Sequence, residues 1–281
     1  MANGLEHRVL AWETNVERPL GTVLLLHGFL DAAGTWDRVA PRLAAAGHRV
    51  LAPDMRGFGD GDRAPRGSYY HFADYVADLA ELVSSLAVGA PLFIVGHSMG
   101  GTIATLYAGA FPENTSRLAV LEGLGPPDHP FAAAPARMRT WIESVRALRS
   151  RAEPEPFEIG HALRRLVLNH PGVPREILEH RLPHLVRSVG DRVVWRNDPL
   201  HRTTAPTPFY AGQLAEFQKR VACPVLFVSG GPTGFHPPDE AERLAAFANV
   251  TTTTLGDAGH MMHWTQPEAL SDLLLAFVAP R

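Results

Sequence analysis

The chain has 281 residues, enough for one large α/β domain with an insertion or for two modest domains. Its 46% hydrophobic and 20% charged content is that of a soluble globular protein, and a net charge of −3 argues against a nucleic-acid partner or an anionic membrane surface. The single cysteine, Cys223, excludes an internal disulfide.

No run approaches the ~20 apolar residues that would span a bilayer. The first residues, Met1 to Arg8, lack the apolar stretch of a secretory signal, so the cytoplasm is the expected compartment. No repeat of solenoid period is present.

In chain order, a strand is expected near 8–13 and a second near 22–27, where Val23 to Leu26 is continuously apolar. Such a run suits a strand covered on both faces. A helix near 35–46 and a strand at 49–53 follow. The stretch 72–87 places Phe72, Tyr75, Val76, Leu79, Leu82, Val83 and Leu86 three and four residues apart, a helical stripe. A strand at 91–96 leads to a helix at 99–110, and another strand lies at 117–122.

From about 126 to 206 the alternation stops. Three helical patterns, near 132–149, 157–169 and 174–189, follow one another with no expected strand. After them the alternation resumes: helix 209–220, strand 224–229, helix 239–248, strand 251–256 and helix 266–278. Thr265-Gln266-Pro267-Glu268 and Asp239-Glu240-Ala241-Glu242 have the form of capping boxes for the last two helices. The expected fold is α/β, a mostly parallel, doubly wound sheet. Its core comprises 1–125 and 207–281, with 126–206 as a helical cap. The insertion follows a strand end, and ligands of open α/β sheets bind beyond the carboxyl ends of strands.

The chemistry concentrates at Gly96-His97-Ser98-Met99-Gly100, which fits G-x-S-x-G between an apolar run and a helical pattern. A sharp turn there lifts the Ser98 hydroxyl clear of the sheet at a helix N-terminus. A serine hydroxyl needs a base, and the base needs a carboxylate to hold its tautomer. His260, on a loop between the last strand and the last helix, is the expected base, with His263 as the fallback. The loop after 224–229, Ser229 to His236, carries no acid. Glu122, at the end of the strand 117–122, is therefore the expected carboxylate, with Asp239 and Asp128 as alternatives. The oxyanion donors are expected at the Met99 and Phe29 amides. Trp36, Leu124 and Trp141 are candidate substrate-binding residues. Phe131, Met138 and Trp195 are equally candidates for substrate contact or cap core.

His27-Gly28, Asp54-Met55-Arg56-Gly57-Phe58-Gly59, Gly96 to Gly101 and Gly259-His260 occur in this order, and with them the chain resembles the α/β-hydrolase superfamily over almost its whole length. Tyr69 to Val76 and Glu122 to Pro127 resemble segments of serine hydrolase-like proteins in its capped branch. The resemblance implies a Ser–acid–His hydrolase with no cofactor and no metal. Serine at position 98 departs from the aspartate of the dehalogenases and epoxide hydrolases in that branch. Asp54-x-Arg56-Gly57 is expected to shape a loop near the site.

The expected activity is hydrolysis of a carboxylic ester of a small, largely apolar substrate through an acyl-enzyme. The same residues suit lactone, thioester or C–C bond hydrolysis, or perhydrolysis. A binding protein without turnover is the third reading. The expected partner is a small-molecule substrate, with no nucleic acid and no membrane, and the sequence sets no oligomeric state.

Overall fold

The computed structural model describes residues 1–86, 91–151 and 155–279. Residue 87, the last of the helix expected at 72–87, lies outside the described residues, as do 280 and 281 of the expected last core segment and 152–154 of the expected cap. The chain runs through β1 (Val9–Trp12), β2 (Thr22–Leu26), α1 (Ala40–Ala45), β3 (Arg49–Pro53), α2 (Phe72–Ser85), β4 (Leu92–His97), α3 (Met99–Ala110) and β5 (Arg117–Leu121). An insertion follows: α4 (Ala134–Arg149), α5 (Ile159–Asn169), α6 (Arg175–Leu185) and a hairpin of β6 (Val186–Val189) and β7 (Arg192–Trp195). The chain closes with α7 (Ala211–Gln218), β8 (Val225–Ser229), α8 (Glu240–Ala245), β9 (Val250–Thr254), α9 (Met262–Thr265) and α10 (Pro267–Val278).

Among the described residues the main sheet has seven strands in the order β1-β3-β2-β4-β5-β8-β9. Only β1 is antiparallel, pairing with β3 at the edge. The mostly parallel α/β sheet is thus the observed fold. Strands β2, β4, β5 and β8 are almost wholly buried, because helices cover both faces. Alternate residues serve opposite faces. Val23 and Leu25 join Trp36, Leu43, Leu270 and Leu274 in one core layer. Leu24 and Leu26 join Phe58, Leu79, Ile103 and Tyr107 in the other.

The insertion differs from the all-helical expectation. The helix expected at 174–189 ends at Leu185, and Val186–Val189 turns into a strand paired with Arg192–Trp195. Gly190, at φ 63°, and Asp191 make a two-residue turn that matches the twist of an antiparallel pair. Valine-rich runs on either side of Gly-Asp are a hairpin signal, which the preceding helical period obscured.

The insertion has its own apolar cluster of Ala162, Leu163, Leu166, Leu178, Leu182, Leu185, Val186 and Val193. Three core residues complete it: Ala32, Met261 and Trp264. The insertion therefore seats on the loop after β2 and on the segment after β9.

The two expected capping boxes do not form, although both helices begin where expected. Thr265 instead donates its hydroxyl to the Ala258 carbonyl at 2.7 Å, and Gln266 occupies the N-cap of α10. Asp239 makes no side-chain cap and pairs with Arg243 at 2.8 Å, one turn along. A nearby cation outcompetes the backbone amides for that carboxylate.

Leu121 is fully buried on the strand that joins β4 to β8. Leu121→Ala is expected to lower stability by about 2–5 kcal/mol, because the close-packed layer around it relaxes only partly. Urea unfolding at neutral pH measures this.

Candidate active site

The strand ladder brings the site residues to one level. His97 pairs with Leu121 across β4 and β5, so Ser98 and Glu122 occupy equivalent positions at the two strand ends. The Ser98 amide donates to the Leu121 carbonyl at 2.9 Å, and the Glu122 amide to the Val228 carbonyl at 3.2 Å. Both residues hold a left-handed backbone, φ 50° at Ser98 and 48° at Glu122, which non-glycine residues rarely adopt. Such strain persists only where surrounding structure enforces it.

The turn at Ser98 is closely confined. A Cβ at Gly96 would run into the backbone of Gly100 and Gly101, and one at Gly100 into the carbonyls of Leu26 and His27. A Cβ at Gly28 would lie 3.3 Å from Ser98 Cβ, so the backbone just before Phe29 passes directly beside the serine. Ser98 stands at the N-cap of α3 and makes no side-chain capping bond. Met99 is the first residue of that helix, so its N–H has no intrahelical acceptor.

Glu122 is almost completely buried and gathers three donors. The Gly230 amide donates to Oε1 at 2.6 Å, the Phe235 amide to Oε2 at 2.6 Å, and His260 Nδ1 to Oε2 at 2.8 Å. Burial alone would raise the carboxyl pKa. The bonds from His260, Phe235 and Gly230 outweigh it and hold the group below its ordinary value of 4.5. The acid-free loop after β8 thus receives the carboxylate of the neighbouring strand. Gly234 leaves room for it, since a Cβ there would collide with Oε1. With Nδ1–H donating to Glu122, the Nε2 of His260 is left as the basic nitrogen.

The fallback residues are engaged elsewhere. His263 is sealed in the core, with Nε2 2.9 Å from Asp31 Oδ2. Asp239 pairs with Arg243, and Asp128 accepts the Ala211 amide at 2.5 Å. His97 donates from Nε2 to the His260 carbonyl at 2.8 Å, and its burial beside His263 and His260 pushes its pKa well below 6.5, so the ring is neutral. Asp31 and His97, both missed as site residues, therefore brace the segment that carries His260. His27 accepts the Met55 amide at Nε2 and bonds the Gly28 carbonyl from Nδ1, tying the loop after β2 to the one after β3. Asp54 accepts the Ala33 and Asp60 amides, and Arg56 forms paired bonds to the buried Asp78, both at 2.5 Å.

The candidate substrate-binding residues are dispersed. Trp36 is wholly buried against His263, with ring centroids 4.6 Å apart. Leu124 is buried in the opposite core layer. Trp141, on α4, is half-buried against Tyr69. Trp195 packs near Phe157, while Phe131 and Met138 are exposed. Phe29 is half-exposed beside Phe58 and His201.

A family model described as the alpha/beta hydrolase fold matches residues 21–267. The chain belongs to that family. Among its relatives, an sn-1-specific diacylglycerol lipase of Mus musculus, ABHD11, is 27% identical over 269 residues, spanning 92% of this chain and 81% of that one. A serine hydrolase-like protein of Danio rerio is 26% identical over 287 residues, spanning 98% and 86%. A hypothetical protein of Pseudomonas aeruginosa PAO1 superposes with a TM-score of 0.85 at 27% identity, covering 98% of this chain and 96% of its own. A thioesterase domain from the curacin biosynthetic pathway superposes at 0.82 with 25% identity, covering 98% and 100%. The lipase and the thioesterase domain are hydrolases, which supports hydrolase activity for this member. Among the described residues no helix is long and apolar enough to cross a membrane.

The lowered pKa of Glu122 has a consequence for stability in this α/β hydrolase. A carboxyl whose folded pKa lies below its unfolded value contributes stability above the unfolded value. That contribution is lost as pH falls through the folded value. Glu122→Gln is therefore expected to lower the urea midpoint most at pH 7, and the gap to the parent protein narrows below about pH 4. Midpoints of both proteins at the two pH values measure this.

Proposed function

We propose that this chain is a serine hydrolase that cleaves a carboxylic ester, or a related acyl bond, of a small and largely apolar substrate. The observation that carries the reading is the convergence of Glu122 on His260 at a strand end level with Ser98. In this reading Ser98 Oγ attacks the carbonyl carbon and His260 Nε2 takes its proton. Glu122 holds the imidazole in the Nδ1–H tautomer and stabilises the imidazolium that forms. The Met99 and Phe29 amides donate to the oxyanion of the tetrahedral intermediate. His260 returns the proton to the leaving alkoxide, and water then repeats the sequence on the acyl-enzyme. A hydrogen bond from Ser98 Oγ to His260 Nε2 forms in this reading once substrate is in place.

Residues 126–206 act as a cap in this reading. Their apolar cluster includes Met261 and Trp264, the neighbours of His260, and Ala32, three residues after Phe29. Substrate size is then set by how the insertion sits. In this reading the chemistry needs no cofactor. The structural likeness to a thioesterase domain favours thioester cleavage as the second reading. A panel of short-chain p-nitrophenyl esters, lactones and acyl thioesters separates the two.

Ser98→Ala is expected to lower ester turnover by several orders of magnitude and to abolish labelling by a fluorophosphonate, seen as a single mass adduct on the parent protein alone. Glu122→Gln should cause a smaller but large loss, and Asp239→Asn almost none. Turnover retained in Ser98→Ala would exclude the reading. A loss confined to Asp239→Asn would move the acid.

A further inference from the structure

Among the described residues, outside the Ser98, His260 and Glu122 group, two clusters each gather one carboxylate and two imidazoles with ligand atoms within 4.8 Å of one another. Asp31, His97 and His263 are sealed in the core and serve as internal braces. Asp37, His180 and His184 stand at the boundary between core and insertion, within reach of solvent.

Asp37 directly follows a 3-10 turn at Ala33–Trp36. His180 and His184 lie one turn apart on α6 and so project from the same face. His180 Nε2 is 2.8 Å from Asp37 Oδ2, and His184 Nε2 is 3.3 Å from the same oxygen. The other oxygen, Oδ1, accepts from Arg181 Nη1, which also donates to the Thr35 carbonyl at 2.9 Å. Arg181 is fully buried. A buried cation thus pins the carboxylate from within and leaves one oxygen turned outward toward two imidazoles. Gly34 sets the orientation of His184: a Cβ there would run into ring atom Nδ1, so Nε2 faces Asp37. The His180 side chain is 55% exposed, so a hydrated ion can reach the group.

We propose that Asp37 Oδ2, His180 Nε2 and His184 Nε2 bind a divalent transition ion of the Zn2+ class and tie the insertion to the core. Metal–ligand distances of about 2.0–2.2 Å in tetrahedral geometry set donors ~3.4 Å apart. The observed spacings reach this with small ring shifts, as each neutral imidazole takes the tautomer with its proton on Nδ1 and turns the freed Nε2 lone pair to the ion. The fourth position stays open to water. Imidazole nitrogen favours Zn2+, Co2+, Ni2+ and Cu2+. Arg181 offsets the single carboxylate charge, so Mg2+ and Ca2+, which depend on several oxygens, gain little here. The inference is independent of the proposed hydrolase chemistry.

The test titrates chelator-treated, full-length protein with Zn2+ by calorimetry, with Co2+ as a spectroscopic probe. The expected result is one ion per chain, visible d–d bands for Co2+ with imidazole ligation, and a Tm raised by Zn2+ but not by Mg2+. His180→Gln, His184→Gln and Asp37→Asn should each weaken Zn2+ binding about tenfold or more. His180 is exposed, so His180→Gln keeps the fold, and its metal-free Tm verifies this. Absence of Zn2+ binding to the parent protein at about 1 mM would overturn the site, as would unchanged affinity in His180→Gln and His184→Gln. An equal Tm shift with Mg2+ would overturn the class of ion.

Discussion

Parallel pairing of β4, β5 and β8 sets the level at which three chain segments leave the sheet, and the site depends on that register. Ser98 and Glu122 each extend the ladder by one further amide bond before the chain turns away. A slip of one residue would turn each side chain to the other face of its strand. The left-handed backbones at both positions are held by these bonds and by the glycines packed around them. Their strain is balanced by a core whose two apolar layers resist rearrangement.

Glu122 shows how a buried charge becomes tolerable. Taking a carboxylate out of water is expensive unless it is paired and hydrogen-bonded. Two backbone amides from the loop after β8 and one imidazole meet its two oxygens. That loop is rich in glycine and carries no acid, because it accommodates a carboxylate from the adjacent strand. The segments around His260 and Phe29 are in turn braced by Asp31, His97 and His27, and by the apolar seat of the insertion on Met261, Trp264 and Ala32. Site and insertion are therefore mechanically joined, and the Asp37–His180–His184 cluster lies at a second seam between the same two bodies.

Much of this was legible in the residues. Continuous apolar runs at 23–26, 92–95, 118–121 and 225–228 marked buried parallel strands, and the three-and-four spacing in 72–86 marked a helix. The insertion was visible as a break in alternation. Its hairpin was hidden because Val186–Val189 continues the apolar pattern of α6, and four residues are too few for the two periods to separate. The helix starts near Asp239 and Thr265 were readable. Their side-chain bonds were not, since Arg243 and the Ala258 carbonyl compete only once the chain has folded.

The sequence by itself determined the fold family and the serine turn with its required glycines. Those properties follow from local sterics and hydrophobic period, which neighbouring residues set. The tertiary structure decided the rest: that Glu122 rather than Asp239 or Asp128 meets His260, and that His263 answers to Asp31. It also decided that Trp36 and Leu124 lie inside the core, and that Asp37 faces two histidines 143 and 147 residues further along the chain. Each of these joins residues remote in sequence, and only strand register and layer packing bring such residues together.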